Sequence, residues 1–159
     1  MTSSGPGAAH PTHPSLKGRR ILVVEDDVSL RKRLFALLMQ EDASVRAVAS
    51  VSESRKEVSE SDFDLVLLDI NLPDGNGLDL LKEQVFSETT SVVVMTAQGG
   101  TETVLEALRN GAADYLVKPF DPFQLPLVFE RCKQRREARR RMEHERTREF
   151  CAKITELYG

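Results

Sequence analysis

The sequence predicts an α/β domain in which a doubly wound parallel sheet carries helices on both faces. Five short apolar runs rich in β-branched residues alternate with segments of helical periodicity over residues 18–133. Each of these runs is followed directly by a charged or hydroxyl-bearing residue. The central run, Leu65–Leu68, is apolar without a break, as expected of a strand buried on both faces of a parallel sheet. Regular strand–helix alternation of this kind favours a parallel sheet.

The size and composition fit one domain with a real core. The chain has 159 residues, of which 40% are hydrophobic and 30% charged, and its formal net charge is -3. That charge gives the whole molecule no attraction to nucleic acid, so we expect no direct nucleic-acid binding. No apolar stretch reaches the ~20 residues of a membrane span, and no signal peptide pattern follows the N-terminus. We expect a soluble, cytoplasmic protein that makes no membrane contact.

The predicted elements follow in order after an N-terminal segment. Residues 1–17 are rich in glycine, proline, serine and threonine without an apolar period, which predicts a disordered tail. The predicted strands are Ile21–Val24, Ser44–Ala49, Leu65–Leu68, Val92–Met95 and Tyr115–Val117. Right-handed crossovers restrict the topology to doubly wound orders. The pattern alone does not determine which of those orders is adopted.

Helical periodicity separates these strands. Leu30, Leu34, Leu37 and Leu38 share one helical face, and Val51–Ser59 predicts a short polar helix. Further helices are predicted from two apolar sets, which are Leu78, Leu81 and Val85, and then Val104, Leu105 and Leu108 before Gly111.

The last helix is expected to extend beyond the domain. Leu125, Val128 and Cys132 are spaced to dock on the sheet, but residues 134–148 are nearly all charged. Interleaved arginines and glutamates with strong helix propensity predict that the helix continues as a solvated rod. Arg135 and Arg139 stand where a heptad needs apolar residues, so coiled-coil pairing is only weakly encoded. We expect residues 134–159 to be a charged extension that leads to an output domain.

Polar side chains at the strand ends form the candidate site. Glu25 and Asp26 follow the first strand, Asp69 the third, Thr96 the fourth and Lys118 the fifth. The carboxyl ends of strands in an open α/β sheet border one crevice. Three carboxylates gathered there repel one another, and a hard divalent cation such as Mg²⁺ resolves that conflict. Lys118 and the Thr96 hydroxyl suit an incoming phosphoryl group.

Other site types fit less well. A dinucleotide site needs glycines after the first strand, where this chain has acids, and Leu80 stands where the third glycine after Gly75 and Gly77 would be. The chain has no P-loop signature, and the absence of histidine between His13 and His144 argues against a Ser or Cys nucleophile with a histidine base. Taken singly, each acid is equally well explained as a strand cap or a turn residue. The occurrence of the acidic pair, Asp69, Thr96 and Lys118 together at strand ends is not explained in that way.

The motifs ILVVEDD, LVLLDINLPDGNGLDLL, VVVMTAQG and NGAADYLVKPFDPFQL resemble the receiver domains of two-component response regulators. The resemblance runs from about Arg19 to Arg131, and the segment AQGGTETVLEALRNGAADYLVKPF is most similar to receivers of the NtrC type, which regulate transcription. It implies a flavodoxin-like fold with strand order 2-1-3-4-5.

The resemblance also implies a role for each site residue. Asp69 is the phosphoacceptor. Glu25 and Asp26 are the acidic pair that holds Mg²⁺ with Asp69, Asp26 by direct contact and Glu25 through water, and the backbone carbonyl of Asn71 completes the protein's metal ligands. Asp27 is a neighbour of the acidic pair rather than a ligand. Thr96 and Lys118 bind the phosphoryl oxygens, Lys118–Pro119 is a cis peptide, and Tyr115 is an aromatic switch that moves inward with Thr96.

The implied partner is a sensor histidine kinase or a phosphotransfer protein. Asp69 attacks its phosphohistidine in line, and phosphorylation shifts the face formed by the fourth helix, fifth strand and fifth helix. We expect the output to travel either by helix packing at that face or by homodimerisation through that face or the C-terminal helix, and in the NtrC type the output is transcriptional. Such a protein is a regulatory switch rather than an enzyme, with only self-phosphotransfer and autodephosphorylation.

Two alternatives remain open from the residues. A phosphotransferase or phosphatase of the haloacid-dehalogenase sort also places a nucleophilic aspartate after an apolar strand, but it needs a second aspartate where this chain has Asn71. A dimerisation module with a vestigial site would not require the acidic pair, Asp69, Thr96 and Lys118 to stay together.

Overall fold

The computed structural model describes residues 15–97 and 100–158, and its centre is a parallel sheet of five strands. The strands are β1 (Arg20–Val24), β2 (Ser44–Val48), β3 (Leu65–Asp69), β4 (Ser91–Thr96) and β5 (Asp114–Val117). Their order across the sheet is β2-β1-β3-β4-β5, and every neighbouring pair is parallel. The predicted fold class and the strand order implied by the resemblance are both confirmed.

Five helices connect and cover the strands. They are α1 (Val28–Gln40), α2 (Val51–Glu60), α3 (Leu78–Lys82), α4 (Thr101–Arg109) and α5 (Leu125–Tyr158). The alternating side chains of β3 divide the core into two clusters. Leu65 and Leu67 pack with residues of α1 and α5, while Val66 and Leu68 pack with residues of α2, α3 and α4. Both faces of the sheet are thus covered, as its apolar strands require.

The disordered tail predicted for residues 1–17 extends three residues too far. Residues 1–14 lie outside the described part of the chain, but Ser15–Lys17 belong to a turn that leads into β1. Leu16 is fully buried in the α1/α5 cluster, and the Ser15 hydroxyl donates a hydrogen bond to the Pro126 carbonyl at 3.4 Å. A single leucine among polar neighbours shows no periodicity, so the pattern could not reveal this contact.

The segment after Asp69 also differs from the prediction. It contains a two-stranded antiparallel ribbon, Asn71–Leu72 with Gly75–Asn76, that the sequence analysis did not predict. Helix α3 then ends at Lys82, so Val85 lies beyond the helix, although it still packs against the core. Gln84 adopts a left-handed backbone conformation with φ 54°, which cannot continue a helix.

Helix α4 turns its predicted apolar face outward. Leu105 and Leu108 are 43% and 40% exposed, whereas the buried residue of this helix is Ala107. In β5, Tyr115 and Val117 are similarly exposed, at 40% and 41%. These four exposed apolar residues belong to the helix and strand to which the resemblance assigns the conformational switch. We call them the switch face.

Helix α5 is continuous over 34 residues, as predicted for the rod. Its buried side chains end at Cys132, and residues 137–158 are all exposed. None of the described helices is long and apolar enough to cross a bilayer.

Candidate functional site

Three carboxylates meet where β1 and β3 end. Glu25 and Asp26 directly follow β1, and Asp69 is the last residue of the adjacent strand β3, with Val24 paired to Leu68. One oxygen from each of the three carboxylates lies within 4.8 Å of the others. Glu25 and Asp69 are buried, whereas Asp26 is exposed. Parallel register brings together acids that are more than forty positions apart in the chain.

Lys118 supplies the positive charge of the site. Its Nζ lies 2.6 Å from Glu25 Oε2 and 3.3 Å from Asp69 Oδ2. It follows β5, and the peptide bond to Pro119 is cis, as the resemblance implied. The Lys118 amide donates a hydrogen bond to the Thr96 carbonyl at 2.8 Å, which ties the end of β5 to the end of β4.

Thr96 and Tyr115 occupy different positions relative to this pocket. Thr96 ends β4, one strand from Asp69, and its side chain is buried. Tyr115 lies within β5 opposite Val94, and it is exposed on the switch face rather than among the charged groups. The structure therefore assembles the predicted residues at one edge, with Tyr115 at its side.

The backbone after Asp69 is held close to the site by Gly77. Asn71 lies two residues beyond Asp69 in the chain. It begins the ribbon, in which it pairs with Asn76. The Gly77 amide donates to the Ile70 carbonyl at 2.7 Å. A Cβ on Gly77 would collide with the carbonyl oxygen of Asp69, so only glycine permits this approach.

Two further side chains make hydrogen bonds to the backbone that were not predicted. The Arg31 guanidinium donates to the carbonyls of Glu25 and Asp26, at 2.9 and 3.3 Å, from the first turn of α1. The Asp74 carboxylate accepts the amides of Val51 and Ser52, at 2.8 and 2.9 Å, and these bonds lower its pKa. Side-chain hydrogen bonds to backbone groups leave no periodic spacing in the sequence, so periodicity cannot reveal them.

Asp27 has a structural role. Its side chain accepts the Leu30 amide at 2.8 Å and so caps the N-terminus of α1. It is not part of the carboxylate cluster. Of the three consecutive acids after β1, two therefore face the site and one begins the helix.

The pocket carries excess negative charge. Burial and the neighbouring Glu25 charge raise the pKa of Asp69 to about 7, although Lys118 opposes the shift. Burial lowers the pKa of Lys118, but its hydrogen bond to Glu25 and the charges of Asp69 and Glu25 outweigh burial and leave the pKa raised. One ammonium does not balance three carboxylates. The oxygen-only donor set, with one exposed member that leaves room for water ligands, fits a hard divalent cation.

Comparisons with known proteins converge on one family. A family model described as "Response regulator receiver domain" matches residues 21–130. The chain is 42% identical over 110 residues to the transcriptional regulatory protein ZraR of Klebsiella oxytoca, covering 67% of this chain and 25% of that protein. It is 34% identical over 126 residues to the regulatory protein AtoC of Escherichia coli, covering 79% of this chain and 27% of AtoC. The chain thus spans about a quarter of the length of these two relatives.

Solved structures show the same likeness. The non-phosphorylated HemR receiver domain from Leptospira biflexa is 36% identical, with a TM-score of 0.66 over 72% of this chain and 93% of that chain. The BeF3-activated DrrB receiver domain is 30% identical, with a TM-score of 0.65 over 74% of this chain and 98% of that chain.

The raised pKa of Asp69 predicts a pH-dependent stability. Between pH 4 and 7 the folded protein keeps a proton on Asp69 that the unfolded chain has released, so the free energy of unfolding falls as the pH rises through this window. Relative to Asp69→Asn, the wild-type protein without divalent cations should lose about 1–3 kcal/mol between pH 5 and 8. Urea unfolding at both pH values measures the difference.

The matched control for this measurement is Asp79→Asn, which removes an exposed carboxylate of α3. It should show the same pH dependence as the wild-type protein. If the free energy of unfolding of Asp69→Asn changes with pH as that of the wild-type protein does, the ionised Asp69 carboxylate does not destabilise the folded protein.

Proposed function

The chain belongs to the response regulator receiver domains, and on that premise we propose that Asp69 accepts a phosphoryl group from a phosphohistidine donor in the presence of Mg²⁺. The observation that carries this proposal is the meeting of Asp69, the acidic pair and Lys118 in one pocket. The donor is a sensor histidine kinase or a phosphotransfer protein. The domain acts as a regulatory switch rather than as a turnover enzyme.

The residues of the pocket divide the chemistry. A carboxylate oxygen of Asp69 bonds to phosphorus as the phosphorus–nitrogen bond breaks, and the electron pair remains on the donor imidazole, which leaves with a proton. The Lys118 ammonium stabilises the negative charge that gathers on the phosphoryl oxygens. The Thr96 hydroxyl donates to one of these oxygens once the group is in place.

Mg²⁺ fits the site by the chemistry of its donors. Asp26, Asp69 and the Asn71 carbonyl offer oxygen ligands, and Glu25 is the fourth candidate from the sequence. When bound, the ion supplies charge neutralisation for the acids and for the incoming phosphoryl group. The excess negative charge that raises the pKa of Asp69 supports this assignment.

The phosphoryl group on Asp69 carries about -1.5 to -2 charges. Thr96 and Lys118 bind the modified carboxylate better in one arrangement of their strands than in another, so the modification shifts a pre-existing equilibrium. Contacts between α5 and the N-terminal ends of β4 and β5 support transmission of this shift to the charged extension of α5. Arg135 lies 3.8 Å from Asp114, which begins β5, and Arg136 donates to the Ser91 hydroxyl at 2.5 Å, at the start of β4.

The output that we propose is homodimerisation through the switch face and α5. The switch face presents Leu105, Leu108, Tyr115 and Val117 to solvent, and exposed apolar patches of this kind mark interaction sites. ZraR is named a transcriptional regulatory protein and AtoC a regulatory protein, which supports a transcriptional output.

Acceptance of a phosphoryl group is directly measurable by intact-protein mass spectrometry. With acetyl phosphate and Mg²⁺ the chain should gain about 80 Da, the mass of one phosphoryl group. Asp69→Ala should gain nothing, and Lys118→Ala should react on the order of 10²-fold more slowly because the developing charge loses its ammonium. Asp79→Asn is the control and should react like the wild-type protein. Label on Asp69→Ala, or steady turnover of a phosphate ester, would contradict the proposal.

The dimerisation proposal is tested by light scattering with beryllofluoride and Mg²⁺. The wild-type chain should double in mass, and the double variant Leu105→Glu with Leu108→Glu should remain monomeric because it places charges on the switch face. Met39→Glu alters an equally exposed apolar residue of α1 and should still dimerise. The double variant Ile154→Glu with Leu157→Glu separates the contribution of the rod. A wild-type chain that stays monomeric, or a charged switch face that still dimerises, refutes this output.

A further inference from the structure

A cavity of about 770 Å³ lies at the N-terminal ends of β4 and β5, which is the sheet edge opposite Asp69. One wall is the connection between α3 and β4 at residues 87–90, and a second wall is the turn between α4 and β5 at Asn110 and Gly111. The third wall is the part of α5 at residues 136–143. Small-molecule sites have volumes of roughly 300–1,000 Å³. The cavity is therefore large enough for a small molecule, and it lies between the domain and the charged extension of α5.

Three arginines of α5 line this cavity without a carboxylate partner. Arg136, Arg139 and Arg140 stand at i, i+3 and i+4, so they share one side of the helix. Among the described residues, no ion pair joins any of the three to a carboxylate, whereas Arg135 lies 3.8 Å from Asp114. Burial and the charges of Arg140 and Arg139 lower the pKa of Arg136. The three cations therefore repel one another, and an anion in the cavity would relieve that repulsion.

The acids of the cavity do not cancel this positive charge. Glu88 and Glu143 also line the cavity, so three arginines face two glutamates and one positive charge is in excess. Both glutamates are exposed and can turn toward solvent when an anion binds. Arg136 is instead held in place, because its guanidinium donates to the hydroxyl of Ser91, which is 1% exposed. The cavity thus has a fixed cation and movable acids.

The rest of the lining combines hydroxyl groups with apolar side chains. Ser87 and Thr89 are exposed and offer hydroxyl donors beside the arginines. Leu81, Phe86 and Val92 form an apolar floor that belongs to the α2/α3/α4 side of the core or packs against it. Guanidinium groups bind phosphate oxygens through paired N–H donors. A flat apolar ring is suited to the floor. The two kinds of lining therefore match a ligand that carries both phosphate groups and a ring system.

We propose that this cavity binds a nucleoside phosphate, with the phosphates at Arg136, Arg139 and Arg140 and the base against the apolar floor. The site is separate from Asp69 and does not rest on the proposed phosphorylation. A ligand in the cavity contacts both interstrand connections and α5 at once. Its binding therefore favours one orientation of the charged extension of α5 relative to the domain.

The site is located by NMR titration of the ¹⁵N-labelled wild-type chain with ADP in a buffer free of divalent cations, so that no metal–nucleotide complex reaches Asp69. The backbone amide resonances of residues 87–90 and 110–111 should shift and saturate, with a dissociation constant on the order of 1 mM or tighter. The resonances of Glu25 and Asp69 should stay in place. Adenosine, which lacks phosphates, should cause no comparable shifts. The absence of saturable shifts with ADP, or shifts confined to the Asp69 edge, would overturn the proposal.

Two double variants of α5 give the matched comparison. Arg139→Ala with Arg140→Ala removes two cations of the cavity and keeps a strong helix former at both positions, so the ADP dissociation constant should rise on the order of tenfold or more. Arg141→Ala with Arg146→Ala removes the same charge from exposed positions that do not line the cavity, and it should bind ADP like the wild-type chain.

Equal weakening in both double variants would show a general attraction of ADP to the charged helix, and it would refute the site. Pyrophosphate supplies the last comparison, because it has the phosphates without the nucleoside. It should bind more weakly than ADP, and equal affinity would refute the assignment of a nucleoside phosphate.

Discussion

The charge balance around Asp69 is the constraint on which the rest of the site depends. Three carboxylates share a largely buried pocket with one ammonium, and the pKa of Asp69 rises to about 7 as a result. A folded domain tolerates such an arrangement when a cation or a reaction makes use of it, because buried like charges otherwise cost stability. The parallel sheet supplies the framework, since the carboxyl ends of its strands border one crevice.

Much of this site could be predicted from the sequence because it depends on strand ends. An unbroken apolar run predicts a buried strand, and the polar residue that ends it lies at the sheet edge, as Asp69 and Lys118 do. Hydrogen bonds from side chains to backbone groups, and close approaches between two stretches of backbone, could not be predicted in this way. Arg31 reaches the carbonyls behind the acidic pair, and Gly77 lies against the Asp69 carbonyl, but neither interaction follows a helical or strand period.

The orientation of α4 on the sheet could not be predicted from its apolar residues. Periodicity correctly located the helix, but it did not identify the side that faces the core, because Leu105 and Leu108 are exposed while the small Ala107 is buried. An apolar face that the domain itself does not cover is the pattern expected where a partner supplies the contact. Tyr115 and Val117 of β5 are exposed to a similar extent. At the other end of the same strand, Asp114 lies 3.8 Å from Arg135, at the start of the charged part of α5.

The charge balance of the pocket is tested by measuring the pKa of Asp69 itself, by ¹³C carboxyl NMR with and without Mg²⁺. In the metal-free protein we expect a pKa near 7, because burial and Glu25 disfavour the charged form. In saturating Mg²⁺ we expect a pKa well below that value, because the cation favours the carboxylate. An Asp69 that titrates at the ordinary pKa of an aspartate and does not respond to Mg²⁺ would contradict the central claim.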